Sequence, residues 1–180
     1  MLVIITGAPA TGKTTLGRRI AGELGLPFIC KDGIKERLFD TLGWGDQTWS
    51  KRLSRAAMEV LYYTVAMQLE AGRSLVSEAN FYPHVAQKSF LSLRERHVFC
   101  PFQILCQTDV AVLAQRYRSR VERGGRHPGH RDQIYLDQDA KAVQGMYGPL
   151  DIGGTVVVLD TTDFATIDYD GLIQAILSAG

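Results

Sequence analysis

The stretch Leu2-Val3-Ile4-Ile5-Thr6-Gly7-Ala8-Pro9-Ala10-Thr11-Gly12-Lys13-Thr14-Thr15 decides how the rest of the chain is read. An apolar, largely β-branched run makes a strand, and the pattern G-x-x-x-x-G-K-[ST] follows it at once. Gly7 and Gly12 carry no Cβ, so the backbone can curl and approach a phosphate chain closely. The loop of Gly7, Ala8, Pro9, Ala10, Thr11 and Gly12 turns its amides inward. The helix that starts at Lys13 presents its positive end to the anion. On this reading Lys13 reaches the β- and γ-phosphates of ATP, the Thr14 hydroxyl holds Mg²⁺, and Thr15 completes the nucleotide-binding set. Average composition gives such a match by chance in on the order of 1 in 200 chains of this length, and the strand-then-helix context lowers that further. A plain glycine-rich turn is the poorer account.

The chain has 180 residues, a length suited to one domain, 1–180, with a sizeable core. With 46% hydrophobic and 22% charged residues it has an ordinary globular composition. A formal net charge of +1 gives no overall pull toward nucleic acid or anionic membrane, so only a local basic patch could serve a polynucleotide. No apolar run approaches membrane-spanning length. Met1 leads almost directly into the first strand, so no secretory leader is expected. Cys30, Cys100 and Cys106 are an odd set without C-x-x-C spacing, which fits reduced thiols in a cytoplasm better than disulfides or zinc. Cys30 and Cys106 sit in apolar runs and read as buried packing.

Along the chain, short apolar runs alternate with helical patterns. Strands are expected over 2–6, 27–30, 75–77, 102–106 and 155–159. Helices are expected over 13–24, 33–41, 47–71, 83–94, 110–123, 137–147 and 167–178. In the 33–41 helix, Ile34, Leu38 and Leu42 share one side. In the 47–71 helix, Leu53, Ala57, Val60, Leu61, Val65 and Leu69 form the inner face. Asp109 is a plausible N-cap. The alternation predicts an α/β fold of three layers with a five-stranded parallel sheet buried on both faces and ligands at the strands' carboxyl ends.

Three groups fall at those ends. Asp32 follows the second strand, where a carboxylate could take the proton of an attacking hydroxyl, orient it and the Mg²⁺ water shell, or simply cap a helix. Glu78 ends the third strand, where an acid can support Mg²⁺, and Asn80 beside it could meet substrate. Arg116, Arg118, Arg120, Arg123, Arg126 and Arg131 crowd one segment, and Arg116, Arg120 and Arg123 share a helical face. Gly124-Gly125 reads as a hinge, with Arg126 on a mobile arginine-rich lid over about residues 120–135 that closes on the triphosphate. Arg118 reads as a solvated side chain. The same cluster could bind a polynucleotide backbone instead. His127 and His130 lack a metal-ligand shell and read as a turn with substrate-facing groups. Trp44, Trp49, Tyr62, Tyr63, Phe81 and Tyr82 could wall an acceptor pocket, although most aromatics belong to cores.

With these residues the chain resembles the small P-loop kinases, the group of zeta toxins, chloramphenicol phosphotransferase and polynucleotide kinases. The resemblance runs nearly full length. It rests on residues 7–14, on Asp32 with Arg37, on Ser77-Glu78-Ala79-Asn80, on the arginines of 116–126, and on Leu159-Asp160-Thr161-Thr162 as an adenine-side loop. It implies the P-loop NTPase fold, an ATP- and Mg²⁺-dependent phosphotransferase, and an alcohol of a small molecule as acceptor. By the same resemblance Asp32 activates that acceptor, Arg116 and Thr161 meet adenine, Arg120, Arg123 or Arg126 serve the lid, and Arg37 contacts substrate. The run Glu78-Ala79-Asn80-Phe81-Tyr82-Pro83 departs from the adenylate-kinase pattern, and the glycine run of shikimate kinases is absent, which disfavours those acceptors. A polynucleotide 5′-hydroxyl kinase and a nucleotide-dependent ATPase or switch remain alternatives. A concave, partly apolar cavity beside Asp32 would favour a kinase over a switch.

Overall fold

The computed structural model describes residues 1–124, 126–130, 133 and 136–180. Five strands form one parallel sheet: β1 (Leu2–Gly7), β2 (Phe28–Cys30), β3 (Leu75–Glu78), β4 (Pro101–Gln107) and β5 (Thr155–Asp160), in the order β2-β3-β1-β4-β5. The helices are α1 (Lys13–Leu24), α2 (Lys31–Leu42), α3 (Gln47–Glu70), α4 (Pro83–Arg96), α5 (Val110–Arg123), α6 (Ala140–Gly145) and α7 (Tyr169–Ser178). The expected α/β three-layer architecture is the observed one.

β1 is buried throughout because its side chains alternate between two cores. Leu2 and Ile4 pack with Leu61 and Val65 of α3 and Phe90 and Leu93 of α4. Val3 and Ile5 pack on the other face with Leu16 and Ile20 of α1 and Leu172 and Ile176 of α7. A third cluster closes the carboxyl end of the sheet, where Ala8 and Ala10 meet Leu113 and Tyr117 of α5 and Val143 of α6.

Three sequence expectations are corrected. β5 is an edge strand rather than one buried on both faces, with Val156 and Val158 exposed. In α3 the spacing-four line Leu53, Ala57, Leu61, Val65, Leu69 is buried. Val60 lies one step, about 100°, off that line and is exposed. In α2 the buried residues are Lys35 and Phe39, not the stripe ending in Leu42, which is exposed. The reason is what α2 packs against: Phe39 supports the 127–130 turn, and Lys35 Nζ donates to Ser50 Oγ of α3 at 2.9 Å. The last two helices are also shorter than expected. Asp139 and Asp168 cap them, so α6 and α7 begin just after those residues.

Gly7 is where the fold and the loop constrain each other most tightly. Its φ is +140°, and a Cβ there would stand 2.4 Å from the Cys106 carbonyl oxygen of β4. Because that neighbour is backbone in the central strand pair, Gly7→Ala should cost about 2–4 kcal/mol. Calorimetric melting should show a drop of several degrees. An unchanged Tm would mean that the β1–β4 junction is looser than described.

Candidate active site

The loop over residues 7–14 is built on left-handed backbone: φ is +140° at Gly7, +64° at Ala10 and +84° at Gly12. Its hub is the Ala8 carbonyl, which accepts from Thr11 Oγ1 at 2.9 Å and from Lys13 Nζ at 2.7 Å. Lys13 is buried. That burial pushes its pKa down, and Glu78 is the main group opposing the shift. Phe164 packs on Gly12 so closely that a Cβ there would meet its ring.

β3 delivers Glu78 to this loop. The parallel register sets Ile5 of β1 opposite Glu78, and Cys30 of β2 opposite the same residue. Thr14 Oγ1 and Cys30 Sγ both donate to Glu78 Oε2 at 2.9 Å. Cys30 is therefore part of the site rather than only packing. Burial, then the Glu78 charge, pushes its thiol up to about 12, so it stays a donor. Cys106, which is fully buried, matches the packing expectation, and burial also holds its thiol at about 12.

Asp32 is the second residue of α2, and the N-cap is Cys30, so the cap reading of Asp32 is corrected. Its carboxylate carries two cations instead. Lys31 Nζ donates to Oδ1 at 3.0 Å, and the Arg126 guanidinium pairs with Oδ2. Burial works to raise the Asp32 pKa, but Lys31 and then Arg126 outweigh it and hold the carboxyl well below the usual carboxylate range.

The 126–130 segment is docked on α2 and α3. His127 stacks on Phe39 at 4.9 Å between centroids, His130 Nε2 lies 2.9 Å from Glu36 Oε1, and the Gly129 carbonyl accepts from Ser50 Oγ at 2.9 Å. A Cβ on Gly129 would meet the Phe39 ring at 2.8 Å. Gly124 is the left-handed cap that ends α5. Gly125 and Arg131, named as hinge and lid arginine, lie outside the described residues. Among the described residues no group of three His, Cys, Asp or Glu could hold a metal ion. No helix among them is long and apolar enough to cross a membrane.

A cleft of about 1150 Å³ opens between the loop, α2 and α3. Lys13, Thr14, Thr15, Asp32, Glu78, Asn80, Arg120 and Arg126 all line it. Arg37 does not: it projects from the outer side of α2 and pairs with Asp40 at 3.4 Å, its side chain 86% exposed. Arg123 is exposed in the last turn of α5, one turn beyond Arg120, and also stays out of the cleft. Arg118 is exposed, as the sequence suggested. Arg116 belongs to a neighbouring region. It donates to the Thr161 and Thr162 carbonyls at 2.9 Å and sits 5.7 Å over the Phe164 ring, while the Thr161 hydroxyl meets Thr108 Oγ1 at 2.8 Å. Of the six aromatics considered, Tyr62 and Tyr82 line the cleft. Phe81 is core, and Trp44, Trp49 and Tyr63 lie elsewhere. Besides Tyr62, the cleft face of α3 presents Gln47, Lys51, Ser54 and Met58, which the sequence expectations did not include. Their spacing of three and four was the available signal, adjacent to the buried stripe.

The sequence profile of the AAA domain family matches residues 2–142. The chain belongs to this family. Its fold is that of the P-loop kinases. A candidate kinase from Chloroflexus aurantiacus J-10-fl is 38% identical with a TM-score of 0.90, covering 99% of this chain and 97% of that one. Kti12 of Chaetomium thermophilum, solved with ADP-AlF3, is 16% identical at a TM-score of 0.71, with 99% and 98% covered. A sugar kinase of Janibacter sp. HTCC2649 is 19% identical at 0.61, with 99% and 92% covered. A local match of 42 residues, 48% identical, links 23% of the chain to the ATP-dependent zinc metalloprotease FTSH 11 of Arabidopsis thaliana, of which it spans only 5%.

The Arg126–Asp32 pair has a pH signature. A carboxyl whose folded pKa lies below its unfolded value, about 3.9, adds stability that is fully present above that value and is lost as pH falls through the folded one. Arg126→Met should therefore lower Tm at pH 7, and the gap from wild type should narrow between about pH 4 and pH 2. A gap that stays constant over that range would mean the pair contributes nothing.

Proposed function

We propose that this chain transfers the γ-phosphate of ATP to a hydroxyl of a small molecule. The observation that carries the reading is the cleft of about 1150 Å³ beside Asp32, with the loop on one side and Met58, Tyr62 and Tyr82 among its walls. A nucleotide switch or ATPase needs little room there, whereas an acceptor alcohol needs such a cavity. Arg116, Thr161 and Phe164 do not line the cleft, which supports an adenine site outside it and leaves the cleft to phosphates and acceptor.

The residues fit Mg²⁺ and a nucleotide. Thr14 and Glu78 bring hard oxygen ligands together, and the Lys13 ammonium stands in the loop where it lines the cleft. Bound there, Mg-ATP supplies the phosphoryl group and spreads its negative charge over the metal. Lys13 leaves the Ala8 carbonyl for the phosphates, and Arg120 adds a guanidinium from the cleft wall. Asp32 takes the proton of the acceptor hydroxyl as its oxygen bonds to the γ-phosphorus and the bond to the bridging oxygen breaks with ADP as leaving group. For this, Arg126 must leave Oδ2, and it then faces the transferred phosphoryl group. Lys31 stays on Oδ1 and orients the carboxylate. Asn80 contacts the acceptor from the turn that follows β3. A reducing, cytoplasmic setting is part of the reading, supported by three cysteines that are all free.

Two substitutions test it. Lys13→Ala should weaken ATP binding on the order of 10²-fold and abolish turnover while the chain stays folded, because Ala8 keeps its Thr11 partner and Glu78 keeps Thr14 and Cys30. Unchanged affinity by calorimetry would remove the nucleotide site. Asp32→Asn should keep ATP affinity within a few-fold and cut acceptor phosphorylation on the order of 10²-fold or more. Wild-type transfer by that variant would exclude Asp32 as the base.

A further inference from the structure

The cleft is more positive than a nucleotide requires. Among the described residues that line it, eight side chains are basic and four are acidic, an excess of four positive charges. Mg-ATP brings only about two negative charges, so about two positive charges remain unmatched. His130 adds none at neutral pH, since burial, then the neighbouring Arg126, pushes it down to about 3.

The surplus has a location. Beside the loop, Lys13, Arg18 and Arg120 face one acid, Glu78, and that difference already suits Mg-ATP. On the acceptor side Asp32 is taken by Lys31 and Arg126, and Glu36 lies against His130. Lys35, bonded to Ser50, offsets the charge of Glu36, so one unmatched positive charge lies with Lys31 and Arg126 around Asp32, and the other with Lys51 and Arg55, one turn apart on α3 with Glu59 along the same edge. Ser54 lies between them and Met58 one turn beyond, so a polar, cationic mouth grades into an apolar wall toward Tyr62.

We infer that the acceptor is a small alcohol bearing an anionic group of its own, a phosphomonoester or a carboxylate, which rests on Lys51 and Arg55 while its hydroxyl faces Asp32. This deepens the transfer reading and rests on it. A polynucleotide fits less well. The outward face of α3, beyond the cleft edge, carries one further base, Arg52, and then Val60, Tyr63 and Met67, so no basic track continues along which a phosphate backbone could run.

The test uses matched sets of alcohols with Mg-ATP and the full chain: glycerol, glycerate and glycerol 3-phosphate; glucose, gluconate and glucose 6-phosphate; ribose, ribonate and ribose 5-phosphate; and a 5′-hydroxyl oligonucleotide. Phosphate transfer is followed by ³¹P NMR alongside ADP release. In at least one set an anionic member should exceed the neutral one in kcat/KM by about tenfold or more, and the better of carboxylate and phosphate identifies the anion. The double variant Lys51→Ala, Arg55→Ala should raise KM for that member about tenfold with kcat and ATP affinity within about twofold, since both side chains stand on α3 and not on the loop over residues 7–14 or on α5. Transfer to a neutral member as good as to its anionic partners overturns the inference and leaves the kinase reading standing. So does transfer to the oligonucleotide alone, or an unmoved KM in the double variant. ADP release without transfer to any member overturns both.

Discussion

The in-register pairing of β1 with β3 on one side and β4 on the other is the constraint on which the site depends. It sets Ile5 beside Glu78 and Gly7 beside Cys106. β3 in turn sets Glu78 beside Cys30. A slip of one residue in β3 would turn Glu78 to the opposite face of the sheet and bring Ser77 or Ala79 in its place. Thr14 would then lose its carboxylate partner, and Lys13 would lose the charge that most opposes its desolvation. The apolar alternation of Leu2, Val3, Ile4 and Ile5 between two cores makes such slippage costly, so the packing of the sheet fixes the polar geometry at its end.

The buried polar groups at that end sustain one another. Lys13, Thr11 and Glu78 are all nearly inaccessible, and each would be expensive to bury alone. Glu78 receives two hydrogen bonds on one oxygen, and one of them comes from a thiol that burial and Glu78 itself keep protonated. Lys13 finds a carbonyl, and Thr11 shares it. This mutual satisfaction lets a lysine stay buried at the end of the sheet without unfolding the loop.

How far the sequence reached follows from where the information is local. Gly7, Gly12, Lys13 and Thr14 act through neighbours in the chain, and their placement was readable. The position of Glu78 followed from a strand end and the parallel topology. Cys30 was read as packing because nothing local reveals that β2 and β3 align it with Glu78. Arg37 was carried over by resemblance, and the helical turn sends it to solvent instead. Lys35 and Phe39 were missed as the buried pair of α2. What buries them is a turn 90 residues away, at Pro128–His130, and contacts of that range leave no trace in periodicity. Val60 failed for a simpler reason: a six-residue inner face was drawn wider than the arc that the sheet covers.

The docked 126–130 segment sets the basicity of Asp32. With Lys31 and Arg126 on its two oxygens, the carboxylate lies far below its ordinary pKa and is a poor base for any hydroxyl, water included. Losing the guanidinium raises its basicity and opens an oxygen at the same time. Only a competing anion draws Arg126 away at little cost, because leaving Asp32 unpaired in a half-buried site is unfavourable. On the transfer reading that anion is the phosphate chain, helped by an acceptor that carries charge. On the same reading, the carboxylate that must be uncovered for transfer is the one that the reactants' own charges uncover. The chain of bonds from Lys35 through Ser50 to the Gly129 carbonyl ties the segment to α2 and α3, which keeps the guanidinium beside Asp32 until such an anion competes for it.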